Sequence, residues 1–256
     1  MLKKRLIARL DIKPPNLIKT VNLEGVRVVG DPLEYATRYS EEDCADELLY
    51  MDAVASLYGR NGLLDFVERT TARVFIPITV GGGIRSFADA RKTLLTGADK
   101  VAINTAVIRR PELITEIAQV CGAQAMVLQI DAKRKADGWE AYTDGGREPS
   151  GKDAIAWAQE GVERGAGEIL VTSIDQEGTC RGCDLALTER ISRMAKVPVV
   201  VSGGVGKTDD VVSAFRAGAD GVAIAHVLHY QVHSLSEIRA QLVSAGIPVR
   251  PVEVAA

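Results

Sequence analysis

Pro77-Ile-Thr-Val-Gly-Gly-Gly-Ile-Arg85 returns 121 positions later as Pro198-Val-Val-Val-Ser-Gly-Gly-Val-Gly206, aligned without a gap. The match runs on through Asp89 and Asp210, then Gly97-Ala98-Asp99 and Gly218-Ala219-Asp220, to Val101-Ala102-Ile103 and Val222-Ala223-Ile224. Glu47-Leu48-Leu49 pairs with Glu168-Ile169-Leu170 at the same offset, and Leu10-Asp11 with Ile130-Asp131 one residue short of it. A period this long is a duplicated half-domain, and each copy reads as strand then helix several times over. Two such halves predict an α/β fold, a (βα)8 TIM barrel with two-fold half-barrel pseudo-symmetry. The halves run over about 1–122 and 123–256. Functional residues are then expected in symmetric pairs.

The length of 256 residues is that of one such barrel, about 250, so 1–256 is read as a single domain. A hydrophobic content of 46% is ample for a core, and 25% charged residues is ordinary for a soluble chain. A net charge of −3 gives no electrostatic case for nucleic acid or a membrane surface. No apolar run approaches the ~20 residues that span a bilayer. Met1-Leu-Lys-Lys-Arg-Leu-Ile7 leads into a strand without a secretory apolar region. Four cysteines are too few for a disulfide framework, and a cytoplasmic protein is expected.

Short apolar runs rich in β-branched residues alternate with longer helical patterns, as in a parallel sheet buried on both faces. Strands are expected near 5–11, 47–52, 76–80, 100–104, 125–131, 168–173, 198–202 and 221–225. Helices are expected near 32–44, 58–72, 86–96, 111–121, 152–165, 185–195, 208–217 and 234–245. Two connections, 12–31 and 132–151, exceed the 2–6 residues usual in such units. Long loops at the C-terminal mouth of a barrel commonly cover a substrate. The second is predicted to carry a small hairpin turning at Gly145-Gly146.

Asp11 and Asp131 end the first and fifth strands, which lie opposite one another in a barrel of eight. Residues at these strand ends project into the active-site mouth. One protonated and one ionised carboxyl there supply an acid and a base; the bland alternative is a pair of loop caps. Gly81-Gly82-Gly83 and Gly203-Gly204 follow the third and seventh strands, and Asn104-Thr105 and Ala225-His226 follow the fourth and eighth. Glycine lets backbone approach a phosphate closely, and Gly178-Thr179 adds to the second cradle. Two cradles point to a small molecule phosphorylated at both ends; tight turns alone are the other reading. Arg5, Glu47, Lys100 and Glu168 begin strands one, two, four and six. They make a neutral ring at the barrel floor, either a seal over an internal passage or plain surface ion pairs.

Lys4-Arg-Leu-Ile-Ala8, Leu10-Asp-Ile-Lys13, Gly30-Asp-Pro32, Val80-Gly-Gly-Gly-Ile-Arg85, Ala98-Asp-Lys-Val-Ala-Ile-Asn104 and Ile130-Asp-Ala-Lys-Arg134 together resemble the cyclase subunit family of imidazole glycerol phosphate synthase. Gly167-Glu-Ile-Leu170, Thr172-Ser-Ile-Asp175 and Ser202-Gly-Gly204 extend the resemblance over the whole chain. It implies a lyase and cyclase of histidine biosynthesis. Ammonia from a partner glutaminase docked beneath the floor passes up the barrel. At the mouth it attacks a phosphoribulosyl-formimino aminoimidazole-carboxamide ribotide, giving imidazole glycerol phosphate and the carboxamide ribotide. It also implies that Asp11 and Asp131 are the acid–base pair and that Lys19 sits on a mobile loop at the substrate. Gly83, Asn104, Thr172, Gly178, Gly204 and Ala225 would line the phosphate sites, and Arg5, Glu47, Lys100 and Glu168 would form an ammonia gate. No cofactor is implied.

The chain departs from that pattern at Arg9, where a small residue or cysteine is usual, at Pro14-Pro15, at Thr20, at Glu177 and at His226. Ile18-Lys-Thr-Val21 and Ala55-Ser-Leu-Tyr-Gly-Arg60 look more like a paralogous branch that conducts ammonia for amidino groups on surface glycans. A related sugar isomerase is the third reading, though it needs no passage. Cys180-Arg-Gly-Cys183 is a lone CxxC without the second pair of a zinc signature. His226, His229 and His233 could share a helical face, but no metal site is expected from them. Cys44 and Cys121 read as buried positions on helices.

Overall fold

The computed structural model describes residues 3–54 and 63–251. The 55–60 stretch and the start of the helix expected at 58–72 lie outside the described residues. Among these residues the strands are β1 (Arg5–Lys13), β2 (Asn16–Val21), β3 (Glu24–Gly30), β4 (Glu47–Asp52), β5 (Ile78–Gly81) and β6 (Lys100–Ile103). They continue as β7 (Met126–Lys135), β8 (Gly138–Thr143), β9 (Glu148–Asp153), β10 (Glu168–Ser173), β11 (Val199–Ser202) and β12 (Gly221–Ile224). The helices are α1 (Pro32–Glu41), α2 (Leu64–Thr71), α3 (Phe87–Leu95), α4 (Thr105–Arg109) and α5 (Glu112–Cys121). After them come α6 (Ala154–Glu163), α7 (Leu185–Met194), α8 (Thr208–Arg216), α9 (His226–His229) and α10 (Leu235–Ser244).

Parallel pairing runs β1-β4-β5-β6-β7-β10-β11-β12 and closes back onto β1, so the fold is a (βα)8 barrel. The strands are buried along their length because both faces are covered. Outward residues such as Leu6, Ala8, Leu10, Leu48 and Val222 pack with the helices. Inward residues Ile7, Leu49, Met51, Ala102, Val127, Leu170, Val200 and Ala223 form a separate apolar cluster inside the barrel. Strict alternation in each strand divides one apolar run between these two cores.

The repeated residues do matching backbone work. Asp89 Oδ2 accepts from the amides of Arg85 and Ser86, both at 3.0 Å, which starts α3. Asp210 Oδ2 accepts from Gly206 and Lys207 at 2.9 and 3.0 Å, which starts α8. Asp99 and Asp220 accept from the first amides of β5 and β11, Ile78 and Val199, at 2.8 and 3.1 Å. Each such bond satisfies an otherwise orphaned N–H at an element's start.

Two differences from the sequence reading bear on the mouth. β1 and β7 run past Asp11 and Asp131, because antiparallel hairpins β2–β3 and β8–β9 pair with their extensions. The second hairpin turns at Gly145 and Gly146, φ 69° and 79°, as expected. The first was read as a loop; it turns at Asn22 and Leu23, with φ 52° and 62°. Cys44 lies beyond α1 at φ 55°, partly exposed, rather than buried on a helix.

Candidate active site

Asp11 and Asp131 are 3% exposed and line one cavity of about 330 Å³ at the barrel mouth. Register sets them in matched places, Asp11 opposite Ile18 of the first hairpin and Asp131 opposite Tyr142 of the second. Their surroundings differ. Asp11 Oδ1 accepts from Arg9 Nε at 2.9 Å, and its Oδ2 has no partner among the described residues. Asp131 accepts from the amides of Gln129 at 3.2 Å and Asn104 at 2.9 Å. Burial pushes the Asp11 carboxyl up, but Arg9 and then Lys19 more than offset it, and the net direction is down. For Asp131 burial outweighs the amide bonds and the more distant charge of Arg9, and the net direction is up.

Arg9 decides this asymmetry, and sequence reasoning noted it only as a departure. It is 3% exposed, and its Nη1 donates to Thr172 Oγ1 at 3.0 Å and Ser202 Oγ at 2.9 Å. The guanidinium thus reaches from β1 past β12 to β11 and β10. Thr172, expected at a phosphate, spends its hydroxyl on this clamp.

The two glycine cradles share a backbone but not a space. Gly82 and Gly83 have φ 87° and 74°, and Gly203 and Gly204 have φ 98° and 97°. Gly83 and Asn104 line the large cavity, together with Arg85, Arg109 and Arg147, none of which sequence reasoning singled out. Gly178, Gly203, Gly204, Ala225 and His226 line a second space of only about 10 Å³. Lys19 plugs it. Held in β2, Lys19 is buried against Glu177, with which it forms an ion pair, and it donates to Thr20 O at 2.9 Å. The structure therefore brings Lys19 to the second cradle and not to the large cavity.

At the floor, Arg5 Nη1 bonds Glu47 at 2.6 Å and Glu168 at 3.1 Å. Lys100 Nζ bonds the same two carboxylates at 3.1 and 3.0 Å. Each cation bridges both anions, so the four charges form one closed ring, and the apolar inner cluster separates it from Arg9 and the two aspartates.

The three histidines part company. His229 is buried, its Nδ1 2.6 Å from Tyr39 Oη, and burial pushes it down to about 3. His226 packs on Tyr230 beside the second cradle, and His233 faces Glu237. Cys180 and Cys183 are free thiols, and burial pushes Cys183 up to about 12. Among the described residues no cluster of metal-ligating side chains occurs.

A (βα)8 barrel with paired buried carboxylates in a cavity at its mouth and a charged ring at its floor has the layout of a barrel enzyme. Residues 5–234 match the family model described as histidine biosynthesis protein. The chain is 60% identical over 207 residues to the imidazole glycerol phosphate synthase subunit HisF of Legionella pneumophila, covering 80% of this chain and 97% of that one. It is 49% identical over 252 residues to HisF of Solibacter usitatus and 44% over 250 to that of Pyrococcus furiosus, each comparison covering 98% of this chain and 99% of the relative. The chain belongs to the HisF family, the cyclase subunits of imidazole glycerol phosphate synthase in histidine biosynthesis.

Proposed function

We propose that this chain joins ammonia to a doubly phosphorylated formimino ribotide, with Asp131 as the proton donor and Asp11 as the standing carboxylate. The observation that carries the reading is the pair itself, two buried carboxyls in one cavity with opposite electrostatic surroundings. As ammonia adds to the substrate carbonyl, negative charge grows on oxygen, and the Asp131 carboxyl, whose hold on a proton burial strengthens, is placed to protonate it. Gly83 and Asn104 with the nearby arginines hold one phosphate, and Gly178, Gly203, Gly204, Ala225 and His226 with Lys19 hold the other. Thr172 supports the site through Arg9.

The ring of Arg5, Glu47, Lys100 and Glu168 serves as the ammonia gate, and a glutaminase docks beneath it. Support for the docking comes from Phe75, Leu95 and Val120, which stand bare at the starts of strands and the ends of helices on that face. Exposed apolar residues gathered on one face are the mark of a partner surface.

The test supplies ammonium salt and the ribotide to the purified chain and follows substrate absorbance. Turnover on the order of 1 per second, reduced by orders of magnitude in Asp11→Asn and Asp131→Asn, is expected. Near-normal rates in either variant would remove the acid–base assignment. A second reading, ammonia conduction for glycan amidination, draws on the narrowness of the second cradle. It requires that folded wild-type protein leave the ribotide untouched.

A further inference from the structure

Two cations and three anions meet beneath the mouth, and their pairing leaves one anion over. Lys19 is paired with Glu177 and Arg9 with Asp11. Asp131 has no cation within salt-bridge distance among the described residues and takes only amide bonds. The ionisable groups that act on Asp11 are Arg9 on its own strand, Lys19 on β2 and His229 on α9; Asp131 on β7 and Asp52 at the end of β4 line the same cavity, and Glu177 after β10 acts on Arg9. Arg9 bonds Asp11 directly.

The contact is one-sided. Arg9 engages Oδ1 through Nε, while its Nη1 is tied to two hydroxyls on β10 and β11, so the guanidinium cannot swing toward Oδ2 without breaking three bonds. A carboxylate oxygen buried without a donor is costly unless a donor arrives. Asp11 lines the cavity directly above the apolar inner cluster, the route by which ammonia would rise. Ammonia offers N–H donors and keeps its lone pair for attack.

We propose that Arg9 is a positioning residue for the cyclase reaction: clamped by Thr172 and Ser202, it fixes Asp11 as a carboxylate with Oδ2 left open to receive an N–H of incoming ammonia. Arg9 forms and breaks no covalent bond. Its charge keeps the Asp11 proton absent across the working range, and its grip keeps Oδ1 from competing with Oδ2. This inference rests on the ammonia-dependent reading above.

The test measures ammonium-driven turnover of the ribotide against pH for wild type, Arg9→Met and Arg9→Lys, with circular dichroism as the folding control. In Arg9→Met, burial acts on Asp11 with its closest opposing charge removed, so the acidic limb of kcat/KM should move up by at least one pH unit. The KM for ammonia should rise about tenfold, the order expected for losing one well-oriented hydrogen bond to a charged acceptor. The KM for the ribotide should stay within about twofold, and Arg9→Lys should restore part of the ammonia KM. An unmoved acidic limb, or a rise confined to the ribotide KM, overturns the proposal and makes Arg9 a substrate ligand or a strut. Should Arg9→Met fail to fold, carboxyl-carbon NMR of the wild type decides. An Asp11 signal that titrates above pH 5 overturns the proposal, and one that stays ionised there supports it. A wild type without any turnover refutes the underlying reading instead, and the two failures are distinct.

Discussion

Lowering the pH from 7.5 to 5 should weaken this fold through His229. Its imidazole titrates at 6.5 in the unfolded reference and is pushed down to about 3 by burial in the folded chain. Tyr39 stacks on the ring at 5.9 Å and bonds Nδ1, Tyr35 meets it edge-on at 5.9 Å, and the Arg38 guanidinium lies 4.4 Å over Tyr35. A proton on His229 would add a second cation beside Arg38 in an aromatic enclosure. Between pH 6.5 and about 3 the unfolded chain carries this proton and the folded chain does not. Stability is therefore fully present above 6.5 and declines as pH falls through that window, with a limiting slope of about 1.4 kcal/mol per unit. By pH 5 the loss is about 2 kcal/mol, or roughly 4–8 °C in Tm for a chain of this size. His226, also pushed down by burial, adds in the same direction, whereas Asp131, pushed up, acts in the opposite one. Comparison with His229→Gln cancels both. Urea midpoints at the two pH values, read for both proteins, should show a shallower pH dependence in the variant. Equal slopes would refute the reasoning, since His229 would then titrate alike in both states.

Two further perturbations separate structure from route. Lys100→Met leaves Glu47 and Glu168 sharing Arg5 alone; two partly exposed ion pairs go, and the expected cost is about 1–3 kcal/mol by thermal melting. With the glutaminase present, the ratio of glutamine-driven to ammonium-driven turnover should change, and an unchanged ratio places the ring off the ammonia path. Gly204→Ala, at φ 97° and with the Gly182 carbonyl where its Cβ would go, should lose about 2–5 kcal/mol. Gly25→Ala, at φ 65° with nothing within 4 Å, should lose about 1–2 kcal/mol in the same denaturation assay, isolating the close approach at Gly204.

What could be read beforehand was what the backbone demands. Asp89 and Asp210, Asp99 and Asp220, and the glycine pairs recur because each satisfies a particular amide or a positive φ, and few residues can replace them. Gly145-Gly146 announced the second hairpin for the same reason. The first escaped notice because its turn puts Leu23 in the left-handed region, where leucine gives no signal. The spacing of His226, His229 and His233 allows a shared helical face, but α9 ends at His229 after a single turn, so the helix never reaches His233. Arg9 could be seen as unusual yet not as a clamp, because a side chain crossing to strands 163 and 193 residues away leaves no local pattern.

The repeat preserves the frame of both cradles, and the side chains then make them unequal. Asn104 and Thr105 on one side answer to Ala225 and His226 on the other, and among the described residues only the second side has a lysine and a glutamate closed over it. A buried ion pair that loses one partner costs about 3–5 kcal/mol, so Lys19 does not leave Glu177 for an empty pocket. A phosphate entering there offers Lys19 a stronger anion, but it must also find a place for the Glu177 carboxylate. The large cavity, about 330 Å³ among the described residues, asks for no such buried exchange, since the arginine of its Arg109–Asp144 pair is largely exposed. On the proposed reading, the two ends of a doubly phosphorylated substrate are therefore not equivalent to this protein: the end assigned to Gly83 and Asn104 meets the larger space, and the end assigned to Gly204 docks only as Lys19 changes partner.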